Sequence, residues 1–437
     1  MAASLTREQI QWRWRILIAT YIGYAGYYLA RKVFSICKTS LVADFGWDLR
    51  MVAHLWTVYL VAYMLGQFLN SYFGRKYGPR VILLGGLAIS IACNIVFGFA
   101  NSYATFLVFM FINGLVQATG WPGCVGTVSQ WLRKKEQGTY IGIWSTNYQL
   151  GTMAVAALGG YLLGRYGWRW SFFGCNLVTI GVWWLLYFWQ RNKPEDAGLD
   201  PIVEKTALDG RAVRGSEAAQ VNFREYLAIA LNPVVLVMGA SYFCIKFLRY
   251  ALDSWLPAFL NLQGLGVANA SYYSQVFTVA GFGGAILAGI LLDRVFKGNW
   301  VALSLLMGLG VIAGYLAVIY LGTSPISVAM LFGVVGFMIY GPDTILCGVA
   351  SVVVAGEMNS VAVAGVVNGI GSIGPIVQEE VIGWLMRGDP ETGIRNTNLL
   401  YLSMSIAFVC LMLVVLWRLR TAHRQHREND AAAAGDV

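Results

Sequence analysis

"RNKPEDAGLDPIVEKTALDGRAVRGSEAAQ", residues 191–220, is the one long hydrophilic stretch in a chain otherwise dominated by apolar side chains. Of the 437 residues, 57% are hydrophobic and 12% are charged, whereas soluble domains carry about 25% charged residues. The stretch lies near the middle of the chain and separates two apolar parts of similar length. It therefore predicts two halves joined by a polar linker.

Apolar runs extend outward from this stretch on both sides. Each is close to the roughly 20 residues that an α-helix needs to cross a bilayer. The predicted spans are 15–37, 51–73, 81–100, 104–131, 137–164 and 169–190, then 232–260, 271–292, 301–322, 327–350, 360–386 and 398–419. The sequence thus predicts an all-α, polytopic membrane protein of twelve transmembrane helices in two pseudo-symmetric six-helix bundles. We expect the bundles at 1–190 and 229–420, a cytoplasmic linker at 191–228 and a disordered cytoplasmic tail at 421–437.

The net charge of +9 is concentrated in short segments between the spans. Arg75 and Lys76 follow the second span, Arg133 and Lys134 follow the fourth, and the linker is also basic. Cations in short loops favour the cytoplasmic side of a membrane, so the charge sets topology and does not indicate a nucleic-acid partner. The pattern predicts a cell-membrane protein with both termini in the cytoplasm, and we expect it to be a monomer.

Two arginines inside the predicted spans hold equivalent places in the two halves. The loop "GRKYGPR" from Gly74 corresponds to "DRVFKGNW" from Asp293, and the same offset carries Arg31 to the residue next to Arg249. Parallel repeats place such positions beside a shared cavity at the bilayer midplane. We therefore expect Arg31 and Arg249 to meet there.

A guanidinium group keeps its proton, and its planar fork suits the oxygens of phosphate or carboxylate. Two forks facing each other would hold a doubly charged anion such as a phosphate monoester. Because both charges are compensated only while the anion is bound, an empty site would return at an electrostatic cost. This favours exchange of one anion for another over one-way transport.

The alternative is that the cations serve the structure alone. Arg31 and Lys32 could extend to the membrane surface, and Arg249 could pair with Asp253, four residues further along the same helix. Lys246 lies three residues before Arg249 and is open to both interpretations. For the two arginines, the repeat favours anion binding.

Other polar side chains are candidates because of their positions within spans. Tyr148 and Gln149 are mid-span groups that could bind substrate or hold helices together. Three acidic residues in or near spans ten and eleven could carry protons, or face a helix contact or the cytoplasm; they are Asp343, Glu379 and Glu380. Three tyrosines share the broad face of Arg31, and we expect at least one to line the cavity; they are Tyr24, Tyr27 and Tyr28.

Several stretches together resemble one family of membrane carriers. They are "GYAGYYLARKVFSICK", "NGLVQATGWPGCVGTVSQWL", "GIW" at 142–144, "FLRYALDSWLPAFL", "GFMIYGPDTILCG", "KPEDAGL" and "NGIGSIGP". The chain resembles the major facilitator superfamily and, within it, the organophosphate:phosphate antiporters and the eukaryotic sugar-phosphate exchangers. The resemblance covers about residues 12–420 without the linker.

The resemblance implies exchange of phosphorylated metabolites for inorganic phosphate by alternating access. It also implies that the arginines of "YYLARK" and "LRY", which are Arg31 and Arg249, bind the phosphate group. Two positions depart from the bacterial glycerol-3-phosphate and hexose-phosphate members. Gln67 stands where those members have a lysine in span two, and Tyr148 stands where the glycerol-3-phosphate carriers have a histidine.

The superfamily's loop signature G-x-x-x-D-R is complete only in the second half. It is present as Gly289, Asp293 and Arg294, whereas the first half has Asn70, Gly74 and Arg75 in the corresponding places, so that glycine replaces the aspartate. The resemblance implies that this loop takes part in gating, so Arg75, Asp293 and Arg294 are gating candidates.

Three functions compete at this point. The first is a phosphate-linked exchanger of a sugar phosphate or glycerol 3-phosphate. The second is a proton-coupled carrier of another organic anion, and the third is a membrane sensor of sugar phosphates, since one branch of the resembled family signals to a histidine kinase. An enzyme is not expected, because the sequence has no nucleophile–base arrangement, metal-ligand cluster or phosphate-cradling loop. No cofactor or metal is predicted; the expected partners are the substrate, inorganic phosphate and lipid.

Overall fold

The computed structural model describes residues 5–47, 49–202, 223–265, 267–355, 359–386 and 389–435. Within these ranges the regular elements are all helices. The stretch 203–222 of the predicted linker and residues 436–437 of the predicted tail lie outside the described residues.

Six long helices precede the linker and six follow it. The first six are α1 (Arg7–Phe45), α2 (Leu49–Tyr77), α3 (Pro79–Phe99), α4 (Tyr103–Gln117, then Gly120–Trp131), α5 (Gln137–Trp144, then Asn147–Tyr166) and α6 (Trp168–Trp189). The second six are α7 (Pro233–Leu262), α8 (Val267–Arg294), α9 (Trp300–Leu321), α10 (Pro325–Thr344, a π-helical turn Ile345–Val349 and Ala350–Ala355), α11 (Ser360–Gly371, then Ile373–Leu385) and α12 (Pro390–Gly435). The predicted fold of twelve helices in two six-helix bundles is confirmed.

Local sequence signals mark where these helices begin. Pro79, Pro233 and Pro325 occupy the first turn of α3, α7 and α10, where the missing N–H of proline leaves no helical hydrogen bond unmade. Ser102 precedes α4, and its Oγ accepts a hydrogen bond from the Thr105 N–H at 3.2 Å. Such a cap satisfies one of the free donors at a helix start.

Helix α12 continues to Gly435, through the tail that the sequence predicted to be disordered. The tail contains four consecutive alanines, at 431–434, preceded by arginine and glutamate residues. These residue types have high helix propensity, so the tail can extend the last membrane helix.

Ten helical segments in the described ranges are long and apolar enough to cross a membrane. The two helices without such a segment are α1 and α5. Their apolar runs are interrupted by tyrosines and by polar groups such as Arg31 and Lys32 in α1 and Asn147 and Gln149 in α5. These same helices contribute polar side chains to the cavity described below.

One face of the bundle carries the start of α1, the two ends of the linker and the membrane exit of α12. It is called the linker face here, and the opposite face is called the far face. The Gln9 amide donates to the Asp200 carbonyl oxygen at 3.0 Å, which joins the start of α1 to the linker. A short linker helix, Phe223–Ala230, packs here as well, and its Tyr226 hydroxyl lies 2.8 Å from Ser71 Oγ of α2.

The closest packing within the second half is between α8 and α10. A Cβ atom added at Gly284 of α8 would overlap the carbonyl oxygen of Phe337 in α10, whereas one at the adjacent Gly283 would lie 3.5 Å from the Phe337 ring. Small residues allow this backbone approach, which is the main way membrane helices pack tightly.

We predict that Gly284→Ala destabilises the protein by about 1–3 kcal/mol, because the two backbones must move apart to admit the methyl group. The midpoint of thermal unfolding in detergent measures the effect. Gly283→Ala is the matched control and should leave the midpoint nearly unchanged. Equal midpoints for both variants would show that α8 and α10 are not in this close contact.

Candidate functional site

A cavity of about 510 Å³ lies between the two halves. Its walls come from α1, α2 and α5 on one side and from α7, α8 and α10 on the other. The lining residues lie at the middle of these helices or in the parts nearer the far face. Asp253 of α7 lines the cavity and is exposed, so the cavity is accessible from the far face.

The linker face is closed by direct contact between the halves. Gly138 of α5 and Gly289 of α8 meet so closely that a Cβ atom on Gly289 would overlap the Gly138 carbonyl oxygen. The Asp293 carboxylate of α8 accepts hydrogen bonds from the backbone N–H of Gly138 at 3.0 Å and of Thr139 at 2.6 Å. A carboxylate at the first turn of a helix also interacts favourably with the helix dipole.

Two further hydrogen bonds join α10 to the first half between this contact and the cavity. The Trp121 indole N–H of α4 donates to the Cys347 carbonyl oxygen at 3.0 Å, and Ser145 Oγ of α5 lies 3.0 Å from Thr344 Oγ1. Cys347 belongs to the π-helical turn that follows Pro342. The altered hydrogen-bond pattern of such a turn leaves a carbonyl oxygen available to a partner outside the helix.

Of the other gating candidates, Arg75 forms an ion pair of 3.0 Å with Glu225 of the linker helix, and Arg294 is exposed. Of the three, Asp293 is the residue with hydrogen bonds described between the two halves.

Arg31 is 6% exposed and points into the cavity. Its guanidinium carbon lies 4.7 Å from the centre of the Tyr28 ring and 4.5 Å from that of Tyr63. Its Nε donates to Gln117 Oε1 at 3.4 Å, and its Nη2 has no hydrogen-bond partner among the described residues. Arg31 therefore does not extend to the membrane surface.

The orientation of Gln117 is fixed by a chain of buried polar groups. Its amide nitrogen donates to Ser90 Oγ at 2.7 Å, and the Ser90 hydroxyl donates to Asn113 Oδ1 at 2.6 Å. Because the amide nitrogen is engaged, the amide oxygen faces Arg31. The guanidinium thus receives an uncharged acceptor, and no described carboxylate forms an ion pair with it.

Arg249 is equally buried and faces the same cavity from the second half. Its Nε lies 3.5 Å from Oδ1 of Asp343 on α10, a contact without hydrogen-bond geometry, since both atoms lack a hydrogen-bond partner within the described ranges. The pairing with Asp253 considered from the sequence is not the one found. The guanidinium carbon also lies 5.2 Å from the centre of the Tyr148 ring and 4.6 Å from that of Tyr250.

Two tyrosines connect the arginines across the cavity. The rings of Tyr28 and Tyr148, both in the first half, have centres 5.9 Å apart. Tyr28 contacts Arg31 of the same half, whereas Tyr148 contacts Arg249 of the second half. The structure therefore brings Arg31 and Arg249 to one cavity with aromatic faces between them. Aromatic faces attract a cation without neutralising it, so both guanidinium groups keep their attraction for an anion.

The two lysines differ in position. Lys32 lines the cavity, and its ammonium nitrogen lies 5.8 Å from the centre of the Trp56 ring. Lys246 is buried outside the cavity wall, where it donates to Asn368 Oδ1 and to Ser372 Oγ of the α11 region. Neither lysine extends into the lipid-facing surface.

The tyrosine and glutamine candidates also differ in whether they line the cavity. Tyr28, Tyr148 and Gln149 line the cavity, whereas Tyr24, Tyr27 and Gln67 do not. The Tyr27 hydroxyl donates to the Leu83 carbonyl oxygen at 2.7 Å, and Gln67 is fully buried with no hydrogen-bond partner for its amide in the described part of the chain. Tyr27 therefore holds helices together.

The three acidic candidates lie in different surroundings. Asp343 is buried beside Arg249, but Glu379 and Glu380 are exposed on the second segment of α11. The Glu379 carboxylate accepts from the Trp255 indole N–H at 3.1 Å. In the described residues, no group of three His, Cys, Asp or Glu side chains could hold a metal ion.

Sequence reasoning did not single out part of the cavity wall. These residues are Trp56, Tyr59 and Tyr63 of α2, and Ser274, Gln275 and Thr278 of α8. The aromatic residues of α2 recur at helical spacing, and this pattern could have indicated that they share one face of the helix. The α8 residues are single neutral polar groups within an apolar run, and nothing in the sequence separates them from groups that bind neighbouring helices.

Two six-helix bundles around one central cavity, closed at one face, form the architecture of a membrane carrier. The Major Facilitator Superfamily matches residues 20–378. The chain belongs to this superfamily and is a multi-pass membrane protein, as the sequence predicted.

Curated relatives and solved structures agree with this assignment. The chain is 29% identical to a "Probable hexose phosphate transport protein" of Chlamydia pneumoniae, over 82% of this chain and 81% of that one. It is 26% identical to the "Membrane sensor protein UhpC" of Salmonella typhimurium, over 85% and 84% of the two chains. Its fold is similar to that of the proton:xylose symporter XylE bound to 6-bromo-6-deoxy-D-glucose, with a TM-score of 0.68, 15% identity and coverage of 93% and 96%.

We predict that Asp343→Asn lowers the unfolding midpoint of the ligand-free protein, because Arg249 then lacks a buried countercharge. Removing one partner of a buried ion pair costs about 3–5 kcal/mol. Thermal unfolding in detergent without phosphate measures the loss, and Glu380→Gln, at an exposed carboxylate, is the control. An Asp343→Asn midpoint equal to that of the control would mean that the pair does not stabilise the fold.

Proposed function

We propose that the protein is a secondary transporter that exchanges a phosphorylated metabolite for inorganic phosphate by alternating access, and not an enzyme. The observation that carries this proposal is the pair of buried guanidinium groups, Arg31 and Arg249, which enter one cavity from the two halves. The relative named as a hexose phosphate transport protein supports the substrate class.

The arrangement suits a phosphate group because both arginines retain donors for it. Arg31 has an unpaired Nη2, and Arg249 is held to Asp343 only by a contact of 3.5 Å. A phosphate can form shorter, charge-assisted hydrogen bonds with both. It can therefore compete with Asp343 for Arg249 and provide Arg31 with the anionic partner that the described residues do not supply.

The same charges favour exchange over one-way transport. When the cavity is empty, Asp343 compensates Arg249, but Arg31 has only neutral partners. Moving the empty site between the two faces of the membrane would carry this uncompensated charge through a closed, low-dielectric intermediate, which is costly. A bound anion on each passage removes that cost.

Alternating access requires the linker face to open while the far face closes. The contacts that would separate are those between Gly138 and Gly289 and from Asp293 to the start of α5. From the basic loops at the linker face we infer that this face and both termini are cytoplasmic. The structure then represents the state open to the outside of a cell membrane, and we propose that one chain is the transporting unit.

Two alternatives keep a specific observation in their favour. Asp343, a buried carboxylate beside Arg249, would be the proton-carrying group of a proton-coupled carrier, since Glu379 and Glu380 are exposed. The similarity to UhpC favours a sensor, which would use the same arginines to bind a sugar phosphate. Transport measurements separate all three.

We predict that proteoliposomes loaded with phosphate take up labelled glucose 6-phosphate or glycerol 3-phosphate. Arg31→Lys and Arg249→Lys should each lower the uptake at least about a hundredfold, because a lysine lacks the planar fork and loses charged hydrogen bonds worth about 1.5–3 kcal/mol each. Arg395→Lys, at an exposed arginine near the far face, is the matched control. Strong uptake by the double Lys variant would contradict the proposal.

The same vesicles distinguish the alternatives. Uptake driven by an imposed pH gradient without internal phosphate, and lost in Asp343→Asn, would indicate the proton-coupled carrier. Ligand binding without any uptake would indicate the sensor.

A further inference from the structure

The cavity extends beyond the two arginines toward the far face, and this outer part has a different chemistry. Asp253 lies one helical turn beyond Arg249 on α7, roughly 6 Å further along the axis. Gln149 follows Tyr148 on α5, and α8 contributes Ser274, Gln275 and Thr278. The outer wall is thus rich in neutral polar groups, whereas the inner wall holds the guanidinium pair.

A buried hydrogen-bonding group in this outer part lacks a partner within the described residues. Gln149 is 4% exposed and its Oε1 accepts no hydrogen bond. A buried unpaired polar atom costs about 1–3 kcal/mol. Such a group facing a cavity is therefore matched to a ligand atom of complementary type.

The unpaired Gln149 acceptor identifies what that ligand atom must be. The Gln149 carbonyl oxygen requires a hydrogen-bond donor, and the exposed Asp253 carboxylate on the same wall can likewise only accept. A phosphate dianion has no donor, and a carboxylate would be repelled by Asp253. Hydroxyl groups supply donors without charge.

The charge of the outer wall leads to the same conclusion. Lys32 and Asp253 are the charged residues of the cavity lining outside the arginine pair, and their charges are opposite. This part of the wall therefore has no net charge and selects a neutral, polar part of the ligand. The Trp56 and Tyr59 side chains of α2 add flat surfaces, which suit the apolar face of a ring.

We propose that the outer part of the cavity is a subsite for the hydroxyl groups of a sugar ring, with Gln149 and Asp253 as the acceptors. The preferred substrate is then a sugar phosphate, ahead of a phosphate ester of glycerol or of a short hydroxy acid. This inference rests on the proposed function, because the arginine pair must hold the phosphate group for the ring to reach the outer wall.

The experiment measures ligand stabilisation of the detergent-purified full chain, which requires no transport. Unfolding midpoints are recorded against increasing glucose 6-phosphate, sn-glycerol 3-phosphate, 3-phosphoglycerate and inorganic phosphate, and each series gives an apparent Kd by mass action. For the unmodified protein, glucose 6-phosphate should have an apparent Kd at least about tenfold below that of glycerol 3-phosphate, with 3-phosphoglycerate the weakest ester.

Variants of the two acceptors test the assignment. In Gln149→Ala and in Asp253→Ala, the advantage of glucose 6-phosphate over inorganic phosphate should fall about tenfold, as expected for loss of one hydrogen bond to a hydroxyl. The matched controls are Gln263→Ala and Asp389→Ala, at exposed positions outside this cavity, and they should keep the advantage.

The outcomes separate the two proposals. If inorganic phosphate and glycerol 3-phosphate stabilise the protein as well as glucose 6-phosphate does, or if both variants keep the full advantage, the subsite is overturned and the phosphate exchanger stands. If none of the four compounds stabilises the protein, the proposed function fails and the subsite fails with it.

Discussion

The burial of the Arg31 guanidinium is the constraint on which the arrangement of the first half depends. An ionised group in a bilayer interior costs several kcal/mol unless its surroundings compensate it. Here the compensation comes from the faces of Tyr28 and Tyr63 and from the Gln117 carbonyl oxygen. Each of these is partial, so α1, α2 and α4 must converge on one point to hold the charge, and none of them cancels it.

In the second half, the buried charge of Arg249 is compensated in a different way. Arg249 also lies among aromatic rings, but Asp343 adds a negative charge beside it. The related positions in the two halves are therefore electrostatically unequal, one arginine with a countercharge and the other without. A single anion entering between them changes the surroundings of Arg31 more than those of Arg249.

Much of the fold could be predicted from the sequence, because the membrane leaves few alternatives for an apolar run of span length. The arginine pair could also be predicted, since the repeat aligns Arg31 with the neighbour of Arg249. The repeat could not predict the direction in which each side chain points or which side chains of other helices it contacts. It did not show that Asp343, distant in sequence, and not the nearby Asp253, would pair with Arg249, or that Lys246 would point away from the cavity toward Asn368.

The tail is a second place where the structure differs from the expectation based on the sequence. Its composition was consistent with disorder, but a membrane helix that already exists removes the cost of nucleating a new one. The alanine-rich segment can then continue α12 to Gly435.

The meeting of Gly138 and Gly289 has a consequence for how fast the two halves can move. When interdigitated side chains form an interface, its separation breaks many van der Waals contacts for each side chain that is displaced. At the two glycines no side chains interlock, so separation of this contact breaks mainly the two hydrogen bonds that the Asp293 carboxylate accepts. If the halves separate as proposed, this part of the contact adds little to the activation barrier.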